Sequence, residues 1–172
     1  VSVDSYYDQL FNAYDAIVGS ASNKSHSLHI DAASGVGGIH LAKLQSKFKA
    51  ASLNITVVND GSATEAATKL LNNQCGADYV QKAKQLPTGF AELLEGYNKK
   101  SRWASIDGDA DRIVYFFPNG STSITLIDGD KIAVLFTIFI KNALEALYDD
   151  KIEHIVRNSS KSEDHKKDDD ED

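Results

Sequence analysis

Apolar residues recur at helical spacing from the start of the chain. Tyr7, Leu10, Phe11, Tyr14, Ile17 and Val18 share one face of a helix over about Asp4 to Gly19. A polar, serine-rich loop (20–27) follows, and Leu28-His29-Ile30-Asp31 then reads as a short strand. The glycines after it turn the chain into a second helix whose apolar face is Ile39, Leu41, Leu44 and Phe48. Asn54 to Val58, NITVV, is short and β-branched, the pattern of a buried parallel strand. Asn59-Asp60-Gly61 makes a turn, and Ser62 and Glu65 have capping-box spacing ahead of Ala66, Ala67, Leu70 and Leu71. A further helix–strand passage runs through Phe90 to Tyr97 and into Trp103 to Ile106. Ile113 to Phe117 and Thr122 to Ile127 form antiparallel partners across Pro118-Asn119-Gly120. Asp128-Gly129-Asp130 opens an apolar helix from Lys131 to about Leu147, with Asp130 as its N-cap.

Strands alternating with helices define the α/β class. The expected architecture is a layered α/β/α domain with a mainly parallel sheet plus one antiparallel hairpin. Residues 1–147 make up that domain. Residues 148–172 form a charged tail, and its NSSKSEDHKKDDDED stretch has too few apolar residues to offset its ordering entropy, so disorder is expected. His154 and His165 lie in the tail without ligand-like spacing.

Charge sharpens this division. The chain carries a formal −7, and Asp149 to Asp172 alone holds ten acidic and five basic residues. No basic run exists to hold a phosphate backbone, so nucleic acid is not an expected partner. Cys75 is the single cysteine, which excludes an internal disulfide and suits a reducing compartment. It reads as a small buried apolar group. The N-terminal VSVDSYYDQLF lacks the layout of a secretory signal. The longest apolar block, Ile132 to Ile140, is too short to span a bilayer and reads as a buried helix. No membrane association and a cytoplasmic location are expected, with the N-x-S/T triplets at Asn23, Asn54, Asn119 and Asn158 as chance matches.

One stretch stands apart from these elements. Ser105 to Arg112, SIDGDADR, places Asp107, Asp109 and Asp111 on alternate residues and ends in an arginine. Like charges at that spacing repel, so a cation would relieve them. A calcium EF-hand counted from Asp107 needs glycine sixth and glutamate twelfth, and Arg112 and Pro118 stand there instead. Mg2+ fits better, since it takes a few hard carboxylates and completes its octahedron with water and phosphate oxygens. Arg112 adds a fixed positive charge suited to a phosphate dianion. An exposed turn is the plainer alternative, because Asp and Gly are common turn formers.

The glycine turn Asp31 to His40, DAASGVGGIH, also sits between a strand and a helix, the context for phosphate cradling. A dinucleotide fingerprint from Gly35 would need Gly or Ala where His40 stands, and no Walker-type GK[ST] occurs. A turn needing positive φ explains these glycines more simply than a nucleotide does. His29 and His40 read as structural, with no Cys or His partner at metal spacing.

DGDADR resembles the metal-binding loop of the α-D-phosphohexomutase superfamily. Leu71 to Val80, LNNQCGADYV, looks like a stretch typical of its eukaryotic phosphoacetylglucosamine mutase branch, and DAASGVGG and LIDGDK follow in the matching order. The resemblance covers roughly residues 1–147. It implies the second domain of an enzyme that interconverts N-acetylglucosamine 6-phosphate and 1-phosphate on the route to UDP-N-acetylglucosamine. It further implies Mg2+ held by Asp107, Asp109 and Asp111 together with a phosphoserine of the first domain, and Arg112 as a catalytic-site residue beside that phosphoserine.

The family's phosphoserine loop, its sugar-selecting glutamate loop and its arginine-rich phosphate loop do not occur in this sequence. Ser25-His26-Ser27 does not match the first of them. A sugar phosphate is thus a partner only in the context of those other domains, and the chain alone is expected to be inactive. A non-catalytic remnant, or a partner-binding module with a weak Mg2+ site, is the competing reading; a nucleotide site at Gly35–Gly38 comes third.

Overall fold

The computed structural model describes residues 2–18, 25–50, 53–62, 71–97 and 101–164. Its elements run α1 (Val3–Val18), β1 (His26–Asp31), α2 (Val36–Ala50), β2 (Leu53–Val58), α3 (Ala77–Ala83), a 3-10 turn (Ala91–Leu93), β3 (Ser101–Ile106), β4 (Ile113–Pro118), β5 (Ile124–Ile127) and α4 (Gly129–Asp164). Two compact units result, Val1–Gly129 and Asp130–Asp172.

The first unit is built on one five-stranded sheet in the order β2-β1-β3-β4-β5. β1 pairs in parallel with β2 and β3, while β3–β4 and β4–β5 are antiparallel. Four of the five strands therefore point one way and only β4 runs back, so the expected mainly parallel sheet is present.

Side chains alternate across a strand, and β3 shows the consequence. Ala104 and Ile106 face one core, with Tyr7, Ile30, Leu44, Phe48 and Ile55 from α1, α2 and the neighbouring strands. Trp103 faces the other, with Ala77, Val80, Phe90, Val114, Phe116 and Ile124. Burying both faces of the sheet produces the α/β/α layering. α1 is fastened to α2 by Tyr14 edge-on to Phe48 at 4.9 Å between ring centres and by the Lys47–Asp8 ion pair at 2.5 Å.

Several expectations change. The helix expected over Phe90 to Tyr97 is only the 3-10 turn Ala91–Leu93, and α3 occurs where none was expected. With seven residues, α3 is too short for a 3.6-residue period to register. α4 begins at Gly129, so Asp130 lies inside the first turn instead of capping it, where its carboxylate still favours the positive helix end. α4 also continues to Asp164, well past Leu147. Propagating an existing helix needs no new nucleus, so a polar sequence can extend one that an apolar segment starts.

The block Ile132 to Ile140 was expected to be a buried helix, yet Val134, Leu135, Phe136, Ile138, Phe139 and Ile140 are 49–61% exposed. A single helix satisfies its own backbone but needs a second layer to cover its side chains. No helix among the described residues is long and apolar enough to cross a membrane. The capping box at Ser62 and Glu65 falls mostly on residues 63–70, outside the described ones.

Candidate metal site

In open α/β sheets, ligands bind beyond the carboxyl ends of the strands where the strand order reverses. Here that point lies between β1 and β3. The chain leaves β1 for β2 on one side and returns to β3 on the other. The glycine turn after β1 and the aspartate loop after β3 meet there.

Asp31 is the joint. Its side chain is fully buried among the ends of these elements. Oδ1 accepts from the Ala33 N–H at 3.0 Å and the Asn59 amide at 2.8 Å. Oδ2 accepts from the Gly76 N–H at 2.6 Å and from the Ser105 hydroxyl, whose residue lies directly opposite in the β1–β3 register. Four donors satisfy one carboxylate, as burial of a charge requires. The turn after β1, the turn after β2, the segment before α3 and the end of β3 are thereby tied to one side chain.

The glycine turn then packs against the aspartate loop itself. A Cβ on Gly35 would stand 2.2 Å from the Gly108 carbonyl oxygen, and one on Gly38 would stand 2.0 Å from that of Asp60. The Val36 N–H donates to the Gly108 oxygen at 3.0 Å. Positive φ falls on Ala33 (57°) and Ser34 (54°), not on Gly35, Gly37 or Gly38. Gly35 and Gly38 are required for close backbone approach and Gly37 for room beside the Ile106 side chain, which replaces the expected reason.

Within the loop, Asp107 organises its own successors. Oδ1 accepts the N–H groups of Asp111 and Arg112, each at 3.1 Å, and Oδ2 accepts Arg112 Nε at 2.6 Å. Ala110 takes the left-handed conformation (φ 62°) that lets the chain bend so tightly. The carboxylates of Asp107, Asp109 and Asp111 each offer an oxygen, and these oxygens lie within 4.8 Å of one another. Asp107 is buried; Asp109 and Asp111 are exposed.

Burial pushes the Asp107 carboxyl up, but hydrogen bonds from the Arg112 backbone and side chain and the guanidinium charge outweigh it and hold it below the usual carboxylate range. Asp111 moves the other way, raised by its hydrogen-bonded contact with Asp107 and by the charges of Asp109 and Asp107. A Mg2+–oxygen distance of about 2.1 Å places its ligand oxygens roughly 3–4.2 Å apart. At least two of the three pairs must then be cis, so oxygens that now lie within 4.8 Å of one another close by up to ~1.8 Å on an ion, which the exposed Asp109 and Asp111 side chains allow, and an all-oxygen donor set suits a hard cation.

The loop forms one wall of an open cleft of about 370 Å³ whose other wall is Leu71, Asn72 and Asp78. Sequence reasoning missed Asp31, Asn72, Asp78 and Ser105 as parts of this site. Asp78 forms an ion pair with Arg112 Nη1 and a second with Lys82 at 3.0 Å. The LNNQCGADYV stretch was visible as a family signature, but nothing local to it indicates that it folds against residues 107–112.

The remaining candidates lie elsewhere. His40 bonds Tyr7 Oη through Nδ1 and joins α2 to α1. His29 is structural in a different sense: its buried Nδ1 has no hydrogen-bond partner among the described residues, its ring stands edge-on to Trp103, and burial lowers its pKa. Cys75 is buried, and burial together with the Asp31 charge pushes its thiol up to about 11.

An α/β/α layer with an aspartate loop at its switch point accords with the resemblance to the α-D-phosphohexomutases. Residues 3–114 match the family model for phosphoacetylglucosamine mutase AMG1, domain II. The chain belongs to that family.

Relatives agree. The rice phosphoacetylglucosamine mutase is 42% identical over 125 residues, covering 72% of this chain and 20% of its own length. The Arabidopsis thaliana enzyme is 40% identical over 154 residues (85% and 26%) and the human one 35% over 146 residues (83% and 25%). Among solved structures, an N-acetylglucosamine-phosphate mutase of the α-D-phosphohexomutase superfamily in its substrate complex superposes with a TM-score of 0.70 at 34% identity, covering 81% of this chain and 25% of that one. The Aspergillus fumigatus N-acetylphosphoglucosamine mutase in complex with GlcNAc-6P and magnesium gives 0.61 at 36% identity (76% and 24%). The chain spans about a quarter of the length of these relatives.

Proposed function

We propose that this chain is the metal-binding second domain of a phosphoacetylglucosamine mutase and that Asp107, Asp109 and Asp111 hold Mg2+. The observation that carries this reading is the convergence of three carboxylate oxygens within 4.8 Å on a loop braced by Asp31 and Gly35. When bound, the ion supplies charge neutralisation for a transferring phosphoryl group. Asp107 supplies the buried anchor, while Asp109 and Asp111 supply exposed oxygens that adjust to the ion. Arg112, fixed by Asp107 and Asp78, presents a cationic edge to an incoming phosphate oxygen. The substrate class proposed is an N-acetylhexosamine phosphate, taken up only together with the domains that relatives carry outside the matched quarter. A reducing, cytoplasmic setting accords with the lone buried thiol.

Calorimetric titration with Mg2+ tests the site. Weak but saturable binding is expected, lost in the Asp107→Asn, Asp109→Asn, Asp111→Asn triple variant; equal heats from both proteins would end the reading. Residues 1–172 alone are expected to interconvert N-acetylglucosamine 6-phosphate and 1-phosphate no faster than that triple variant. Turnover above it would show that the chain is catalytically sufficient.

A further inference from the structure

Arg112 is held from two sides. Its Nε donates to Asp107 Oδ2 at 2.6 Å, and its Nη1 pairs with Asp78, 34 residues earlier in the chain. Asp78 is fixed in turn. It lies in the first turn of α3, two residues after the Gly76 N–H bound by Asp31, and its other oxygen accepts from Lys82 at 3.0 Å. The hydrogen bonds from Lys82 and Arg112 hold its carboxyl below the ordinary range, so it stays ionised in neutral solution. The guanidinium therefore lies between a carboxylate of the loop and a carboxylate on the opposite wall of the cleft.

We propose that Asp78 is a positioning residue for Arg112, drawing the guanidinium to the rim of the cleft so that it does not settle over the three loop aspartates. The proposal deepens the metal-site reading and rests on it for its second test. Arg112 Nε already lies 3.6 Å from Asp111 Oδ1. Without its outer partner, the guanidinium re-pairs with the nearest remaining carboxylates, which are Asp107 and Asp111. A cation would then compete with an arginine for the same oxygens. With Asp78 in place, one edge of the guanidinium is committed outward, and the arginine remains next to the cation site without closing it.

Asp78 has a side chain 39% exposed, so Asp78→Asn leaves the fold intact; the urea midpoint provides that control. The first test needs no metal. In the intact chain, NMR of the Arg112 side chain is expected to show a protected Nε–H and slow rotation about the Nη bonds. Asp78→Asn should shift the Nε–H resonance and speed that rotation. Unchanged Arg112 signals would overturn the proposal outright.

The second test is a double-mutant cycle read by Mn2+ titration. Asp78→Asn is expected to weaken Mn2+ binding about three- to tenfold more in the native background than in Arg112→Gln, since coupled neighbours deviate from additivity by such factors. Equal losses in both backgrounds would mean that Asp78 acts only through its own charge, and the positioning role would be refuted. Should the native chain bind no Mn2+, the metal reading falls, and the NMR result alone decides whether Asp78 positions Arg112.

Discussion

Asp31 and Cys75 show how much single side chains decide here. Among the described residues no cation pairs with Asp31; two backbone N–H groups, an amide and a hydroxyl donate to its carboxylate. Asparagine in its place keeps one acceptor oxygen and sets an NH2 group against donors that it cannot satisfy. Asp31→Asn should therefore cost about 3 kcal/mol, the scale for breaking a buried charged network, read as a drop in the urea midpoint at constant m. Cys75 yields a pH prediction. Its thiol is raised from 9.0 to about 11, so burying it contributes stability that is complete below pH 9 and lost as pH rises from 9 through 11. Thiol reagents at pH 8 should label Cys75 only as the protein unfolds; rapid native-state labelling would contradict its placement.

At the scale of elements, the strands and the aspartate loop were legible because their signals are local. The β-branched NITVV, the hairpin turn at Pro118-Asn119-Gly120 and the alternating aspartates each lie within a few residues. What stayed hidden is long-range: Ser105 reaches Asp31 across 74 positions, Gly76 across 45, and Arg112 reaches Asp78 across 34. No periodicity encodes such pairs. The glycine turn was located correctly but explained wrongly, because close approach between Gly35 and Gly108 depends on two distant turns meeting. Gly35→Ala should accordingly destabilise by roughly 1–3 kcal/mol through overpacking and weaken cation binding, which calorimetry on the folded variant would register. α4 carries its own expectation. Phe136 and Phe139, 61% and 55% exposed, should drive concentration-dependent self-association in sedimentation, reduced by Phe136→Glu with Phe139→Glu.

At the scale of the molecule, the five strands divide into two runs that are contiguous in sequence. β1, α2 and β2 form one, and β3, β4 and β5 form the other. A single parallel seam joins them, from Ser27 opposite Ser101 to Asp31 opposite Ser105. In kinetic terms this seam is the expensive contact, since closing it confines a long stretch of chain before any contact rewards it. Each run can gather its own short-range contacts first, which leaves the seam to close late on the folding path. A late contact changes the rate of leaving the native state more than the rate of reaching it. Asp31→Asn should therefore steepen the loss through faster unfolding, with the refolding arm of the chevron nearly unmoved. The aspartate loop, resting on the end of that seam, would be among the last parts to assemble and the first to come apart.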